Sequence, residues 1–179
     1  MRCFVAVDLD DALKPQTIKI QKELADLADL NLVESENLHF TLKFLGETTD
    51  AELEKAEEAL TEASSGFKPF DVGVAGLGTF PNIRYVRIIW IGAAELFNLQ
   101  KCVDEALAGL RPRERHIIPH LTLARVRSAR GKEKLAAYID RHADATAGTM
   151  VVKTIKLKQS TLTPEGPMYE DLNFFRLNA

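Results

Sequence analysis

The sequence predicts an α+β fold of two similar lobes, each mainly antiparallel sheet with helices outside, related by a pseudo-two-fold axis and separated by a cleft. Three observations carry the prediction. The tetrad His39-Phe40-Thr41-Leu42 returns 81 residues later as His120-Leu121-Thr122-Leu123. The elements around each copy follow one order: helix, His-x-Thr strand, helix, strand, proline turn, strand. Helices alternate with hairpins, a pattern that packs as sheet with helices on the outside.

The first element is a core strand over residues 2 to 8, rich in β-formers. A helix follows, with Leu13, Thr17, Ile20, Leu24 and Leu27 stepping by four and three, Pro15 near its first turn, and Asp10 or Asp11 as its cap. The first tetrad strand spans about Leu38 to Leu45 and ends at Gly46. Thr49-Asp50-Ala51-Glu52 is a Thr-x-x-Glu capping box, and Leu53, Ala56 and Leu60 form the apolar stripe of the helix behind it.

From Phe67 to Phe80 the chain is β-like, and Pro81-Asn82 punctuates it before the strand Tyr85 to Ile91, completing a hairpin. The second half repeats the order. A helix over about Ala93 to Leu110 carries Leu96, Leu99, Val103, Ala106 and Leu110 on one side, and the His120 strand follows. A helix from Lys132 to His142, a strand from Met150 to Ser160, a turn at Thr163-Pro164-Glu165-Gly166-Pro167 and a strand from Met168 to Arg176 complete the chain. His39 to His120 spans 81 residues, Pro81 to Pro164 spans 83 and Tyr85 to Tyr169 spans 84. Drift of three residues over a whole half indicates an internal duplication within one domain, residues 1–179.

At 46% hydrophobic residues the chain buries a core of its own. It has no apolar run of membrane-spanning length and no signal peptide, so a cytoplasmic, membrane-free monomer is expected. Cys3 and Cys102 lie far apart without CxxC spacing and read as buried free thiols. The net charge of −3 hides an asymmetry: residues 1–62 hold 6 Lys/Arg against 15 Asp/Glu, a balance of −9 that leaves +6 on the rest. Between Arg111 and Lys134 there are eight Lys/Arg and two acids. A solvated face is the ordinary fate of such a run; its position around the second tetrad makes a small anionic ligand the sharper reading.

In both tetrads apolar residues alternate with His and Thr, so each strand offers an imidazole and a hydroxyl on one face. Histidine, with an ordinary pKa of about 6.5, is the side chain that works near neutral pH as base in one copy and acid in the other. Two imidazoles on opposite sides of a phosphorus suit in-line displacement, and Thr41 and Thr122 can donate to its non-bridging oxygens. No metal or other cofactor is required.

The paired tetrads, their spacing, and the flanking Lys43-Phe44-Leu45-Gly46-Glu47 and Ala124-Arg125-Val126 resemble the two-histidine (2H) phosphoesterase superfamily. The chain looks most like its RNA 2',3'-cyclic phosphodiesterases, also called 2'-5' RNA ligases, over nearly its whole length. The resemblance implies a two-lobed fold with the tetrads in a central cleft. It also implies hydrolysis of RNA-terminal 2',3'-cyclic phosphate, on tRNA fragments among other RNAs, to a 2'-phosphate, and reversible ATP-independent 2'-5' ligation. Carried onto this chain, His39 is the proton donor to the leaving 3'-oxygen and His120 the proton acceptor that activates water.

Arg125 matches an arginine with which the family holds phosphate. Strict alternation puts it on the face opposite His120 and Thr122, so it reaches the cleft only where the strand ends or bulges. Lys43 has the favourable parity, alongside His39 and Thr41, and a salt bridge at the cleft edge is its other reading. His116 lacks a motif, and His142 reads as a partly packed surface residue. Phe4 and Tyr169 are candidates for stacking on a base, with core packing the commoner fate. Three readings compete with RNA cyclic phosphodiesterase: a binding module of the same fold, a metal hydrolase, and an enzyme acting on a small cyclic nucleotide or a 2'-5' oligonucleotide. Neither tetrad has the His-x-His or His-x-x-x-His spacing with which one element supplies two metal ligands.

Overall fold

The computed structural model describes all of residues 1–179. Its elements run β1 (Arg2–Asp8), α1 (Lys14–Ala25), β2 (Leu30–Leu32), β3 (His39–Glu47), α2 (Asp50–Ser65), β4 (Phe70–Ala75), β5 (Leu77–Asn82), β6 (Tyr85–Gly92), α3 (Phe97–Ala106), β7 (His120–Val126), α4 (Lys132–Arg141), β8 (Thr146–Val152), β9 (Thr154–Thr163) and β10 (Gly166–Arg176). The fold is α+β, and every strand pairing is antiparallel.

Local chemistry explains where the helices begin. Asp10 caps a short 3-10 turn before α1 by accepting from the Ala12 amide at 2.9 Å, and Pro15 sits in the first turn of the helix, where it loses no hydrogen bond. The capping box of α2 is closed in both directions: the Thr49 hydroxyl accepts from the Glu52 amide at 3.3 Å, and the Glu52 carboxylate accepts from the Thr49 amide at 2.8 Å. Such a cap contributes about 1 kcal/mol. Across α3 and the turns at its two ends the buried stripe is Leu96, Leu99, Val103 and Leu107, whereas Ala106 faces solvent, because a residue four along from Val103 returns to the core side. The helix is also shorter than the predicted Ala93–Leu110, being preceded by a 3-10 turn at Ala94–Leu96.

Eight strands share one sheet, ordered β10-β9-β1-β3-β7-β6-β5, with β2 lying against β7; β4 and β8 form a separate pair. The predicted strand from Met150 to Ser160 is therefore two strands parted at Lys153, one in each sheet. β2 escapes a reading by alternation because three residues are too few to show a period.

The order interleaves the sequence halves. The β5–β6 hairpin of the first half pairs with β7 of the second, and the β9–β10 hairpin of the second half reaches β3 of the first through β1. The tetrad strands meet at the sheet centre, where Phe40 pairs with Leu121. Both side chains are essentially inaccessible and belong to a continuous core of 36 buried residues. α1 packs on β2 and β7, α2 on β9 and β10, and α3 on β3. The face bearing Phe40 and Leu121 is thus under helices, and the opposite face carries the tetrad polar groups. No helix is long and apolar enough to cross a membrane.

Candidate active site

Alternation from Phe40 and Leu121 puts His39, Thr41, His120 and Thr122 on the face away from the helices, all partly exposed. Continuing that register sets His39 opposite Thr122 and Thr41 opposite His120, so the imidazoles are diagonal neighbours. In an antiparallel ladder that relation separates side chains by about 7 Å, room for one phosphorus between them.

Both rings are oriented by the same device. His39 Nδ1 donates to the carbonyl of Asn37 at 2.7 Å, and His120 Nδ1 to that of Ile118 at 2.6 Å. A proton held at Nδ1 leaves Nε2 of the neutral ring as its acceptor. His39 Nε2 lies 3.0 Å from the Thr41 hydroxyl. Burial pushes both imidazoles below the ordinary value of 6.5, with the carbonyl bonds opposing it; at His39 the positive charges of Lys158 and His120 lower it further and Asp8 raises it.

Aromatic rings flank each histidine. Phe4 and Tyr169 stand 5.0 and 5.3 Å from the His39 ring, and Phe80 and Trp90 stand 4.8 and 5.9 Å from the His120 ring. The sequence reading singled out the first pair and missed the second, although the chain's one tryptophan, in a strand two residues from Gly92, was a visible signal. Gly78 is required here: a Cβ at that position would run into the Trp90 ring.

The two tetrad strands depart from alternation at the same place. In β3 the register against β1 passes from Ala6↔Thr41 to Val5↔Lys43, leaving Leu42 unpaired; in β7 it passes from Trp90↔Thr122 to Ile89↔Ala124, leaving Leu123 unpaired. Leu42 and Leu123 are equivalent in the repeat, and each is the extra residue of a β-bulge, which turns the residues that follow it to the other face; in β3 a second shift follows at Leu45. Lys43 is thereby corrected: it points to the helix side, buried, 2.5 Å from Asp104 of α3. Arg125 moves the opposite way, exposed and on the tetrad face, close enough that its positive charge opposes the burial-driven rise of the Tyr169 phenol. Phe44, the equivalent of Arg125, is 68% exposed on the same face.

A four-charge cluster borders the His39 side. Lys156 contacts Asp8 at 2.7 Å and Asp171 at 2.6 Å, and Lys158 contacts the same carboxylates at 2.9 and 2.6 Å. Paired in this way the charges cancel locally and tie β1, β9 and β10 together. His142 stacks on Tyr138 at 3.9 Å, in the partly packed position expected of it. Cys3 is buried, whereas Cys102 is only half-buried. A concavity of about 590 Å³ between α3 and residues 113–118 includes neither tetrad. The chemistry of paired imidazoles makes the tetrad face the candidate site.

Comparison with known proteins shows the family and the fold. The family described as LigT like phosphoesterase matches residues 7–90 and 92–169. The RNA 2',3'-cyclic phosphodiesterase of Methanothermobacter thermautotrophicus is 42% identical over 99% of both chains, and the protein of that name from Archaeoglobus fulgidus is 41% identical over 98% of this chain and 99% of its own. A crystallised Thermus thermophilus protein superposes with a TM-score of 0.83 at 25% identity, covering 99% of this chain and 98% of its own. Apo LigT of Escherichia coli shares the fold, with a TM-score of 0.72 at 22% identity over 99% of this chain and 98% of its own.

Proposed function

This chain belongs to the LigT like phosphoesterase family, and from that premise we propose that it hydrolyses the 2',3'-cyclic phosphate at the end of an RNA to a 2'-phosphate, with His39 and His120 as its acid and base. The observation that carries the reading is the matched pair of imidazoles, partly exposed on the same face of the central strands and each with Nδ1 held by a backbone carbonyl.

In the forward reaction His120 Nε2 takes a proton from water as its oxygen attacks phosphorus. The bond from phosphorus to the 3'-oxygen breaks, and protonated His39 gives its Nε2 proton to that oxygen. Thr41, Thr122 and Arg125 hold the non-bridging oxygens as charge accumulates there. Every proton is carried by a side chain, so the step needs no metal or nucleotide. Run in the same direction with an RNA 5'-hydroxyl in place of water, the same groups form a 2'-5' linkage, and the reverse of that step cleaves it with the roles of the two imidazoles exchanged.

The substrate is an RNA end, tRNA fragments included, or a small 2',3'-cyclic nucleotide, handled by a cytoplasmic monomer. We read residues 1–179 as one two-lobed domain with an internal duplication, supported by the family match to each half and by equivalent bulges at Leu42 and Leu123.

The test is to incubate the protein, with EDTA and no ATP, with a short RNA ending in a 2',3'-cyclic phosphate, beside His39→Ala and His120→Ala. A 2'-phosphate product from the wild type alone is expected. Binding without turnover makes the protein a binding module, and turnover restored only by added metal overturns the two-histidine mechanism.

A further inference from the structure

Each tetrad has a strand beside it in the same register, and the two strands differ at one position. β1 sets Asp8 opposite His39 and Ala6 opposite Thr41, whereas β6 sets Gly92 opposite His120 and Trp90 opposite Thr122. The residue facing the histidine is thus a carboxylate in the first copy and a glycine in the second. Directly opposed residues of an antiparallel pair share a face, with Cβ atoms about 5 Å apart, so Asp8 is the side chain set against His39. On the His120 side the Phe80 and Trp90 rings stand instead. Gly92 has no room for a side chain, since a Cβ there would lie 2.9 Å from the Ala75 carbonyl oxygen.

Asp8 is held in a closed ring of charges, in which Lys156 and Lys158 each bridge its carboxylate and that of Asp171. Ala6 pairs with Lys156 on one side and Thr41 on the other, and its small side chain leaves room for the lysine stems. The Lys158 side chain is 10% exposed, so the field of the ring is only partly screened. The charged and titratable groups around His39 are Asp8 on β1, Lys158 on β9, Tyr169 and Asp171 on β10, and His120 and Arg125 on β7. Tyr169 adds no charge, because burial raises its phenol. Burial is the main force lowering the proton affinity of both imidazoles. At His39 the Asn37 carbonyl and Asp8 oppose it while Lys158 and His120 add to it; at His120 the Ile118 carbonyl alone opposes it.

We propose that Asp8 divides the labour between the tetrads: its carboxylate, with no counterpart opposite His120, puts the proton of the singly protonated pair on His39 and leaves His120 as the base. The proposal rests on the phosphodiesterase reading, in which one imidazole must be protonated and the other free. The backbone carbonyls that hold the two rings are equivalent and supply no such distinction, whereas an opposite charge favours the protonated form of the ring it faces. Asp8 acts through His39 and is a positioning residue. Lys158 is its counterweight, tying the carboxylate down and keeping the proton from being held too firmly to leave. When the bond from phosphorus to the 3'-oxygen breaks, His39 gives up its proton and His120 has taken one from water. His120 then releases its proton to solvent and His39 takes one up, which restores the starting pair.

The experiment follows each imidazole separately by NMR titration of its ring nitrogens, and measures kcat/KM against pH on a short RNA ending in a 2',3'-cyclic phosphate. Asp8→Asn is expected to move the His39 titration and the alkaline limb of the profile to lower pH. Its kcat/KM at pH 7 should fall roughly 3- to 10-fold, one unit of pH being tenfold in protonation. Lys158→Gln is expected to move the same titration and the same limb to higher pH. Asp171→Asn opens the same ring of charges on β10, two strands beyond β1, and is expected to leave the His39 titration in place, which separates the field of Asp8 from its structural tie. His120 should hold its midpoint in all three. A His39 titration that Asp8→Asn leaves unmoved, or moves no more than Asp171→Asn does, overturns the proposal and leaves the phosphodiesterase reading standing. Should Asp8→Asn not fold, Lys158→Gln decides: an upward shift at His39 alone upholds the proposal, and no shift overturns it. If the wild type turns over no cyclic phosphate, the phosphodiesterase reading fails, and the titrations decide by the same outcomes whether Asp8 places the proton.

Discussion

His39 Nε2 and the Thr41 hydroxyl, two residues apart on one strand, stand 3.0 Å from each other, while no such contact joins His120 to Thr122. The near-symmetric tetrads are therefore not equivalent in the unliganded protein. Thr41 holds the proposed acid, and Thr122 is free for a phosphate oxygen.

Thr41→Ala and Thr122→Ala are each expected to slow turnover by roughly 10- to 1000-fold, since each removes a donor aimed at developing charge. The difference lies elsewhere: Thr41→Ala also moves the pKa of His39 in a proton NMR titration, and Thr122→Ala does not. Unchanged rates with folded protein would take the hydroxyls out of the mechanism.

The pH dependence follows from the direction of the histidine shifts. Burial lowers both imidazoles from 6.5, so in the free enzyme the singly protonated pair, one acid and one base, is most populated below that value. The expected kcat/KM profile is a bell centred on the acid side of about 6.5 and falling toward pH 8. A profile flat from pH 5 to 8 would contradict it. The same shifts act on stability with a definite sign. The unfolded chain binds these protons more readily, so the contribution is complete above the unfolded value and is lost as pH falls from there through the lowered folded values. Denaturant midpoints at pH 7.5 and 5.5 are expected to differ in that direction, and less so in the double His→Ala variant.

Lys43 and Arg125 should respond in opposite ways to removal. Lys43 and Asp104 are 1% and 4% exposed in their side chains, so Lys43→Ala strands a buried carboxylate and is expected to cost about 3 to 5 kcal/mol by chemical denaturation. Lys43→Met combined with Asp104→Leu is expected to recover most of that. Arg125→Ala, on an exposed position, should leave the denaturation midpoint within about 0.5 kcal/mol and lower kcat/KM by roughly 10- to 100-fold, the loss of a charge-assisted hydrogen bond. A stability loss for Arg125→Ala without a kinetic one would mean that the bulge at Leu123 does not bring it to substrate.

By itself the sequence determined the α+β class, the capping box that starts α2 at Thr49, the Asp10 cap of the turn leading into α1, and the repeat that matches His39 with His120. These are legible because they are local: a cap is read over four residues, alternation over four, and a duplication needs only comparison of the chain with itself. Two decisions belong to the tertiary structure. The hairpin of each half pairs across to the strand of the other, which no local pattern encodes, since pairing is chosen by the burial available to whole elements. The bulges at Leu42 and Leu123 belong to strand pairs, β1 with β3 and β6 with β7, and neither strand read alone shows which residue is skipped. That skipped residue buries Lys43, turns Arg125 toward the tetrads and exposes Phe44, because a one-residue change of register reverses the face of the side chains that follow it.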